Sequence, residues 1–421
     1  MRADARRVLI AGGGPVGLFA ALLLGRRGLD VRLFDENTTL LDDPRAATTH
    51  PGTLEILGAA GLVDDMVRVG LVAPSVRFWD RPTGECVAEF DHALLAGDTA
   101  YPYVVQCEQY KTARLILDRL RVMSNVEVLF DQRVEEVTQQ DSSVVVAVRG
   151  PDGMQRHTGA YLVGADGGRS SVRKQCGISF EGFTWEERFL VLTTPFDFER
   201  SRGLCYRNYL ADPEEWCNCF KVSGSRPPGL WRTVYPTDQR ASDEELLSDE
   251  AIEARLQKFF PSGQRYEVVH RNLYTTHQRI ATTFRAGRVL LAGDAAHVNN
   301  PIGGMGLNGG LQDAGCLAEM LAEVMLGAGP EGLLDVYDLR RRTVACEFVQ
   351  QHSIANKKRL EERDPDTRQR NLDELRALAA DPVRARQFLL GTAMITSQRR
   401  AAALTLGALR DPRSLDEAGG S

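Results

Sequence analysis

The N-terminal third alternates short apolar runs with longer mixed stretches. Val8 to Gly12 is an apolar run ending in glycines, Pro15 to Gly28 has helical length and composition, and Leu29 to Asp35 alternates apolar and polar positions. Strand, glycine turn, helix and strand make a βαβ unit. Further on, Leu54 to Val69 reads as short helices and Ser75 to Phe90 as strands broken at Pro82-Thr83-Gly84. Gln109 to Val122 is helical. Val126 to Phe130, Arg133 to Thr138, Ser143 to Val148 and Arg156 to Val163 are strand-like.

The pattern changes between Phe180 and about Arg285. Aromatic residues concentrate there, many in alternating runs such as Trp216 to Val222 and Leu230 to Tyr235. Alternation of this kind predicts a sheet-rich domain. Trp216, Asn218 and Phe220 share one face of their strand and Cys217 and Cys219 the other. Arg288 to Ala292 is another apolar strand, followed by a glycine-rich loop and a helix from about Asn308 to Leu326. The remainder is helical and strongly charged, and Arg340-Arg341-Arg342 reads as a solvated helix face. The expected organisation is α/β. A Rossmann-like domain spans residues 1–179 and 286–345, a sheet-rich substrate domain is inserted at 180–285, and a helical C-terminal region covers 346–421.

Composition narrows the class. Fifty-one Lys and Arg against 57 Asp and Glu give a net charge of −6, without the basic stripe of a nucleic-acid binder. No apolar stretch is long enough to span a membrane. Arg2, Arg6 and Arg7 precede an apolar run as in a signal peptide, but Gly12-Gly13-Gly14-Pro15 interrupts it, so a cytoplasmic location is expected. The eight cysteines are scattered without a Cys-x-x-Cys pair or a zinc-like His/Cys grouping, so free thiols and no metal are expected.

Three motifs carry chemistry. Gly12-x-Gly14-x-x-Gly17 lies between strand and helix, with Pro15 and Val16 inside it. Gly12 permits the turn, Gly14 admits a pyrophosphate, and Gly17 allows the helix to pack close. Asp35, followed by Glu36, ends the next strand, where a carboxylate accepts ribose hydroxyls. Gly164-Ala165-Asp166-Gly167-Gly168-Arg169-Ser170 sets an acid and glycines at a second strand exit. Gly293-Asp294-Ala295-Ala296-His297 continues through Pro301-Ile302-Gly303-Gly304-Met305-Gly306-Leu307-Asn308 into a helix, whose N-terminus offers N–H groups to a polar ring.

Taken together and in this order, the three motifs resemble the single-component (class A) FAD-dependent aromatic hydroxylases of the para-hydroxybenzoate hydroxylase type, whose FAD domain is of the glutathione-reductase type. The resemblance is strong over residues 6–60, 101–176 and 286–325, diffuse over 180–285 and weak after about 345. It implies that Gly12, Gly14, Pro15, Val16, Gly17, Asp35 and Glu36 hold the ADP half of FAD, with Asp166 and Gly167 beside the pyrophosphate. Arg45, in Pro44-Arg45-Ala46, lies near the flavin in this likeness. Gln106 holds the ribityl or phosphate portion and Asp294 the ribityl portion. Pro301, Gly303, Gly304, Gly306, Leu307 and Asn308 hold the flavin ring. It further implies that NAD(P)H visits transiently to reduce FAD. Oxygen then forms a flavin C4a-hydroperoxide, which hydroxylates a phenolic or heteroaromatic molecule. Pro301 and Gly303 would stand by the reacting atoms, Tyr206 or Tyr209 where the family places a phenolate-activating tyrosine, and Asn218 among polar substrate contacts.

No residue matches the arginine that grips a benzoate carboxylate. His297 belongs to the structural part of its motif, and His50 beside Pro51 reads as a packed or capping histidine. Other oxygen insertions on the same fold, namely epoxidation, Baeyer–Villiger oxidation and oxidative decarboxylation, remain open at this point, as does a non-redox dinucleotide-binding role. The substrate-side partners are a small aromatic molecule and molecular oxygen. No nucleic-acid or membrane partner is expected, and oligomeric state is not readable.

Overall fold

The structure is a computed structural model and describes residues 7–42, 45–225, 227–405 and 407. Arg2 and Arg6, Pro44 and the end of the expected C-terminal region lie outside the described residues. The βαβ unit forms as expected. Arg7–Ala11 pairs in parallel with Asp30–Phe34 on one side and Tyr161–Gly164 on the other, and Val126–Leu129 and Val289–Leu291 extend the sheet outward. Arg285–Ala286 adds a short antiparallel edge. The central strands are buried on both faces, as an all-parallel core requires, with Val8, Leu9 and Ile10 fully enclosed. Pro15 begins the helix Pro15–Arg26, where its missing N–H is no loss. Leu18, Phe19 and Leu22 of this helix pack in one core with Leu311, Leu317 and Leu321 of the helix Met305–Met325. Residues far apart along the chain therefore share one core.

The stretch Arg156 to Val163 is two strands rather than one. Gly153–Gly159 belongs to a three-stranded antiparallel sheet, and Tyr161–Gly164 to the parallel one. The helix expected from Asn308 begins earlier, at Met305.

The second large sheet has eight strands, and it takes in strands from outside residues 180–285. Phe180–Thr194, Arg207–Ala211, Cys217–Val222, Leu230–Pro236 and His270–Ala281 come from that segment. Ser75–Asp80 and Glu85–Asp91 complete one edge, and His297–Val298 the other. Ser75–Asp80 joins through parallel pairing with Arg207–Ala211, and the loop leaving Gly293 feeds directly into His297–Val298. One face of this sheet, with Leu190, Leu192, Cys217, Cys219, Trp231 and Tyr235, packs on Ile252, Leu256 and Phe259 of the helix Asp249–Phe259. The opposite face carries Val191, Trp216 and Val234 toward Ile302. The division of Cys217 and Cys219 from Trp216 and Phe220 follows the strand alternation.

The C-terminal helices clamp the sheet edge. Leu372, Leu375 and Leu389 pack with Val76, Val87 and Phe90, and Arg376 pairs with Glu85. Arg341 overturns the solvated-face reading of its triplet. Consecutive helix residues point about 100° apart, and Arg341 turns inward. It donates to Asp313 Oδ1 at 2.6 Å, while His297 Nε2 donates to Asp313 Oδ2 at 2.8 Å. Burial alone would raise the Asp313 pKa, but the Arg341 and His297 charges bring it to about 2. His297 is thus structural, holding the glycine-rich loop to the long helix. All eight cysteines are free thiols. Among the described residues no helix is long and apolar enough to cross a membrane, and no group of metal-ligating side chains is present.

Candidate active site

Two contiguous cavities cross the molecule. The outer one, about 480 Å³, is walled by Gly12–Pro15, Asp35, Glu36, Arg133, Asp166, Gly167 and Arg169. The inner one, about 640 Å³, reaches from the same glycine turn to the eight-stranded sheet. Gly14, Pro15, Arg45, Gln109, Ala165 and Gly167 belong to both walls.

The glycine turn is a close-packed cradle. Gly12 has φ +105°, and a Cβ there would lie 2.3 Å from the Ala165 carbonyl oxygen. A Cβ on Gly17 would lie 2.0 Å from the Gly12 oxygen. Gly14 by contrast faces open space, as a residue beside a diphosphate should. Asp35 Oδ2 accepts from Gly13 N–H at 2.5 Å and Oδ1 from Asn37 N–H at 2.9 Å, which fixes the carboxylate at the strand end. Glu36 pairs with Arg133 at 3.5 Å beside it. Asp166 lines the cavity, but its oxygens are engaged by Ser170 Oγ and by the N–H groups of Ser171 and Val172. It caps the helix Ser171–Gln175, so its carboxylate shapes the turn and Gly167 presents the open backbone.

At the inner end, Gln106 Oε1 accepts from Thr48 Oγ1 at 2.9 Å, while its buried Nε2 has no hydrogen-bond partner among the described residues. That orphaned donor fits a ligand with acceptor oxygens. Asp294 lines the cavity and is exposed to it, at a strand exit surrounded by protein. Burial raises its pKa, against the opposing charges of His297 and Arg45. Gly303 and Gly304, at φ +99° and +70°, bend the chain so that Met305, Gly306 and Leu307 start the long helix in the cavity wall. The first N–H groups of a helix lack internal acceptors and carry the positive end of its dipole. Pro301 lines the same wall.

Asn308 does not line the cavity. It is fully buried, donating to the Thr48 and Gly304 carbonyls while its Oδ1 accepts from His50 N–H. Its side chain fastens the Thr48–His50 segment to the helix. His50 is a packed residue as expected, with Nε2 donating to the Gly303 carbonyl at 2.7 Å. Burial, reinforced by the Arg207 charge and only partly countered by that hydrogen bond, lowers its pKa to about 3.

The sheet supplies the far wall. Register places Arg207 opposite Phe220 and Phe220 opposite Arg232. Tyr209 stands opposite Asn218, and Asn218 opposite Val234. All six line the inner cavity, as two rows across one face. Tyr209 stacks on Phe78 at 5.2 Å, and the buried Asn218 Oδ1 has no partner. Tyr206 is excluded from the cavity. Its ring faces Lys221, whose Nζ lies 4.9 Å from the centroid. Sequence reasoning missed Arg207 and Arg232. The signal was there, since each sits two residues before a cavity-facing apolar or aromatic residue, and a charged residue on an inward strand face is seldom incidental.

A family model described as an FAD binding domain matches residues 5–352. The chain is 36% identical to para-nitrophenol 4-monooxygenase of Pseudomonas sp. strain WBC-3 over 93% of its length and 96% of the relative. The chain belongs to the class A FAD-dependent aromatic hydroxylases. The enzyme is also 33% identical to 6-hydroxy-3-succinoylpyridine 3-monooxygenase of Pseudomonas putida strain S16, over 91% and 96% of the two chains. The crystal structure of p-nitrophenol 4-monooxygenase from Pseudomonas putida DLL-E4 superposes with a TM-score of 0.86 at 35% identity, covering 91% of this chain and 96% of that one. The cavities suit the family's cofactor. The cradle without Cβ atoms, the fixed Asp35 carboxylate and the orphaned Gln106 amide offer a long dinucleotide open backbone, a hydroxyl acceptor and a hydrogen-bond donor in turn.

Proposed function

We infer that this flavoenzyme hydroxylates an electron-rich aromatic ring, a phenol or hydroxypyridine, placed between Pro301 and the Tyr209–Asn218 row. The carrying observation is the continuity of one cavity from the glycine cradle to a sheet face that mixes aromatic and polar side chains. Bound FAD supplies hydride acceptance from NAD(P)H and oxygen transfer. The overall reaction consumes one aromatic C–H, NAD(P)H, a proton and oxygen, and yields the phenol, NAD(P)⁺ and water.

The protein's share is positional and electrostatic. Met305–Leu307 N–H groups would stabilise negative charge at the polar edge of the ring system. Asn308 and His50 hold that loop, and His50 stays neutral. Tyr209 O–H would donate to a ring hydroxyl and Asn218 Oδ1 would accept from it, fixing orientation, and the Tyr209 donor would stabilise the oxygen as it loses its proton and the ring gains electron density. Val191, Phe220 and Val234 form an apolar wall that excludes water.

The test uses FAD-loaded enzyme with NADH or NADPH and a panel of phenols, hydroxypyridines and ring-matched compounds lacking the hydroxyl. Some hydroxyl-bearing members should stimulate reductant consumption about tenfold or more and appear hydroxylated by mass. Equal consumption with and without every member of the panel would contradict the reading.

A further inference from the structure

The loop that carries Pro301 is fastened on its far side by His50 and Asn308, which bond the Gly303 and Gly304 carbonyls. Its near side needs another hold. Pro301 has no N–H to donate, and its carbonyl accepts from Gly304 N–H at 3.0 Å, which only closes the turn within the loop. The place of Pro301 against the sheet therefore depends on its neighbours Asn300 and Ile302, both fully buried.

One side chain holds both neighbours. Gln278 Oε1 accepts from Asn300 N–H at 3.1 Å and from Asn300 Nδ2 at 3.2 Å. The second bond turns the Asn300 amide so that its Oδ1 accepts from Ile302 N–H at 3.1 Å. Trp185 Nε1 also donates to Gln278 Oε1, at 3.2 Å. A backbone N–H and an indole N–H can only donate, so the atom facing them is the amide oxygen. Gln278 Nε2 then donates the other way, to Ser353 Oγ at 2.9 Å and to Gln350 Oε1. Gln350 ends a π-helical turn, Ala345–Gln350, a rare form that collects at functional places. Its own Nε2 donates to the Val298 carbonyl at 3.0 Å.

Gln278 also belongs to the substrate wall's own strand, His270–Ala281. Thr276 and Gln278 are buried there, whereas Thr275 and His277 are exposed, as alternation requires. Tyr274 and Thr276 line the inner cavity. One extended stretch thus builds part of the wall and holds the loop that carries Pro301.

We propose that Gln278 and Asn300 are positioning residues of oxygen transfer: they set the gap between Pro301 and the ring. The proposal rests on the reading above, which places the ring beside Pro301. In the coupled reaction the two electrons of NAD(P)H and one oxygen molecule give hydroxylated product and water. In the uncoupled one they give hydrogen peroxide, with NAD(P)⁺ formed in both. A displaced loop shifts turnover from the first to the second, because misplacement of about 1 Å slows a positioned reaction steeply.

The test gives FAD-loaded enzyme NAD(P)H and the best stimulating phenol or hydroxypyridine, and counts product against reductant consumed. Gln278→Met keeps the side-chain length and removes both polar atoms. Product per NAD(P)H should fall about threefold or more, with the difference recovered as peroxide and FAD content retained. Gln278→Glu keeps the acceptor oxygen and should restore most of the ratio. Trp185→Phe removes a different donor from the same oxygen and should leave the ratio within about 1.5-fold. Hydrogen exchange at the Asn300 and Ile302 amides is a second readout that needs no substrate. It should quicken about tenfold or more in Gln278→Met and stay within about twofold in Trp185→Phe. Should Gln278→Met fail to fold, Asn300→Ser, which shortens the link and leaves Gln278 its other partners, carries the same expectations. An unchanged ratio in the folded variant overturns the proposal. An equal loss in Trp185→Phe does so too, since the effect would then be general packing, as does a loss without faster exchange. If the unaltered enzyme hydroxylates no panel member, the function reading fails, and the hold on the loop stands or falls by the exchange rates. Hydroxylation with coupling untouched in every variant does the reverse.

Discussion

At the Gly12–Pro15 end the cavity wall is main chain, and at the Arg207–Val234 end it is side chain. The first admits FAD because atoms are missing. Gly12 and Gly17 have no room for a Cβ, and Gly14 leaves a space. The second selects its ligand because particular atoms are present: a tyrosine hydroxyl, an orphaned amide oxygen and two arginines on one sheet face. The charges differ as well. In the fold around the glycine-rich loop Arg341 is locked to Asp313, whereas Arg207 at the substrate end makes no ion pair among the described residues. One region locks its charge into the fold, the other leaves it at the cavity wall. Shape at the cofactor end should therefore fail all at once, and chemistry at the substrate end by degrees.

The largest effect is expected at Gly12. Gly12→Val forces a Cβ into the Ala165 carbonyl at a positive φ, so flavin content should fall to background and stability by more than about 3 kcal/mol, read by absorbance and urea unfolding. A protein that still carries stoichiometric FAD would break the contrast.

Next come the two arginines. Arg341→Met strands a buried Asp313 and should cost about 3–5 kcal/mol. Arg207→Met removes an unpaired charge and should leave stability unchanged or raise it by about 1 kcal/mol while substrate affinity drops. If both variants destabilise equally, Arg207 has a structural partner and the contrast weakens.

Acid should act through buried neutral histidines. His50 and His92 are lowered to about 3 and about 4 by burial, with the Arg207 charge adding to both. Their unfolded pKa lies near 6.5, so protons favour the unfolded chain below that value. Stability should be intact above about pH 6.5 and fall as pH drops, by on the order of 2 kcal/mol per histidine at pH 5. His92→Gln should flatten this slope in denaturant titrations at pH 7 and pH 5. A slope unchanged by the substitution would remove His92 from the account.

The smallest effect separates neighbouring tyrosines. Tyr209→Phe should lower kcat/KM about tenfold, and Tyr206→Phe should stay within about twofold. The reverse ranking would mean that the strand register has been misassigned to the cavity.

The same contrast explains what the sequence could disclose. Gly12, Gly14 and Asp35, which line the cavities, were legible because a backbone cradle demands fixed residue types at fixed spacings, whereas Gln106 and Pro301, also in the walls, were read from the family likeness and Asp294 from its strand-end position together with it. Asp166 and Asn308 lie in the right loops, but capping and packing turn their side chains to other tasks, which spacing does not record. Tyr206 and Tyr209 differ only in register, fixed by pairing with Cys217–Val222. The sheet's recruitment of Ser75–Asp91 depends on a parallel contact with a strand more than a hundred residues away, beyond any local pattern. Arg341 was read as solvated because a run of three arginines suggests a surface, although a helix must turn one of three neighbours elsewhere.

The most direct test of the whole account follows the oxygen. FAD-loaded enzyme is given NAD(P)H, the best stimulating phenol or hydroxypyridine and ¹⁸O₂ in ordinary water. One ¹⁸O atom per hydroxylated product is the result expected. A product whose new oxygen comes from water, or reductant consumed with all label recovered as peroxide across the panel, would contradict it.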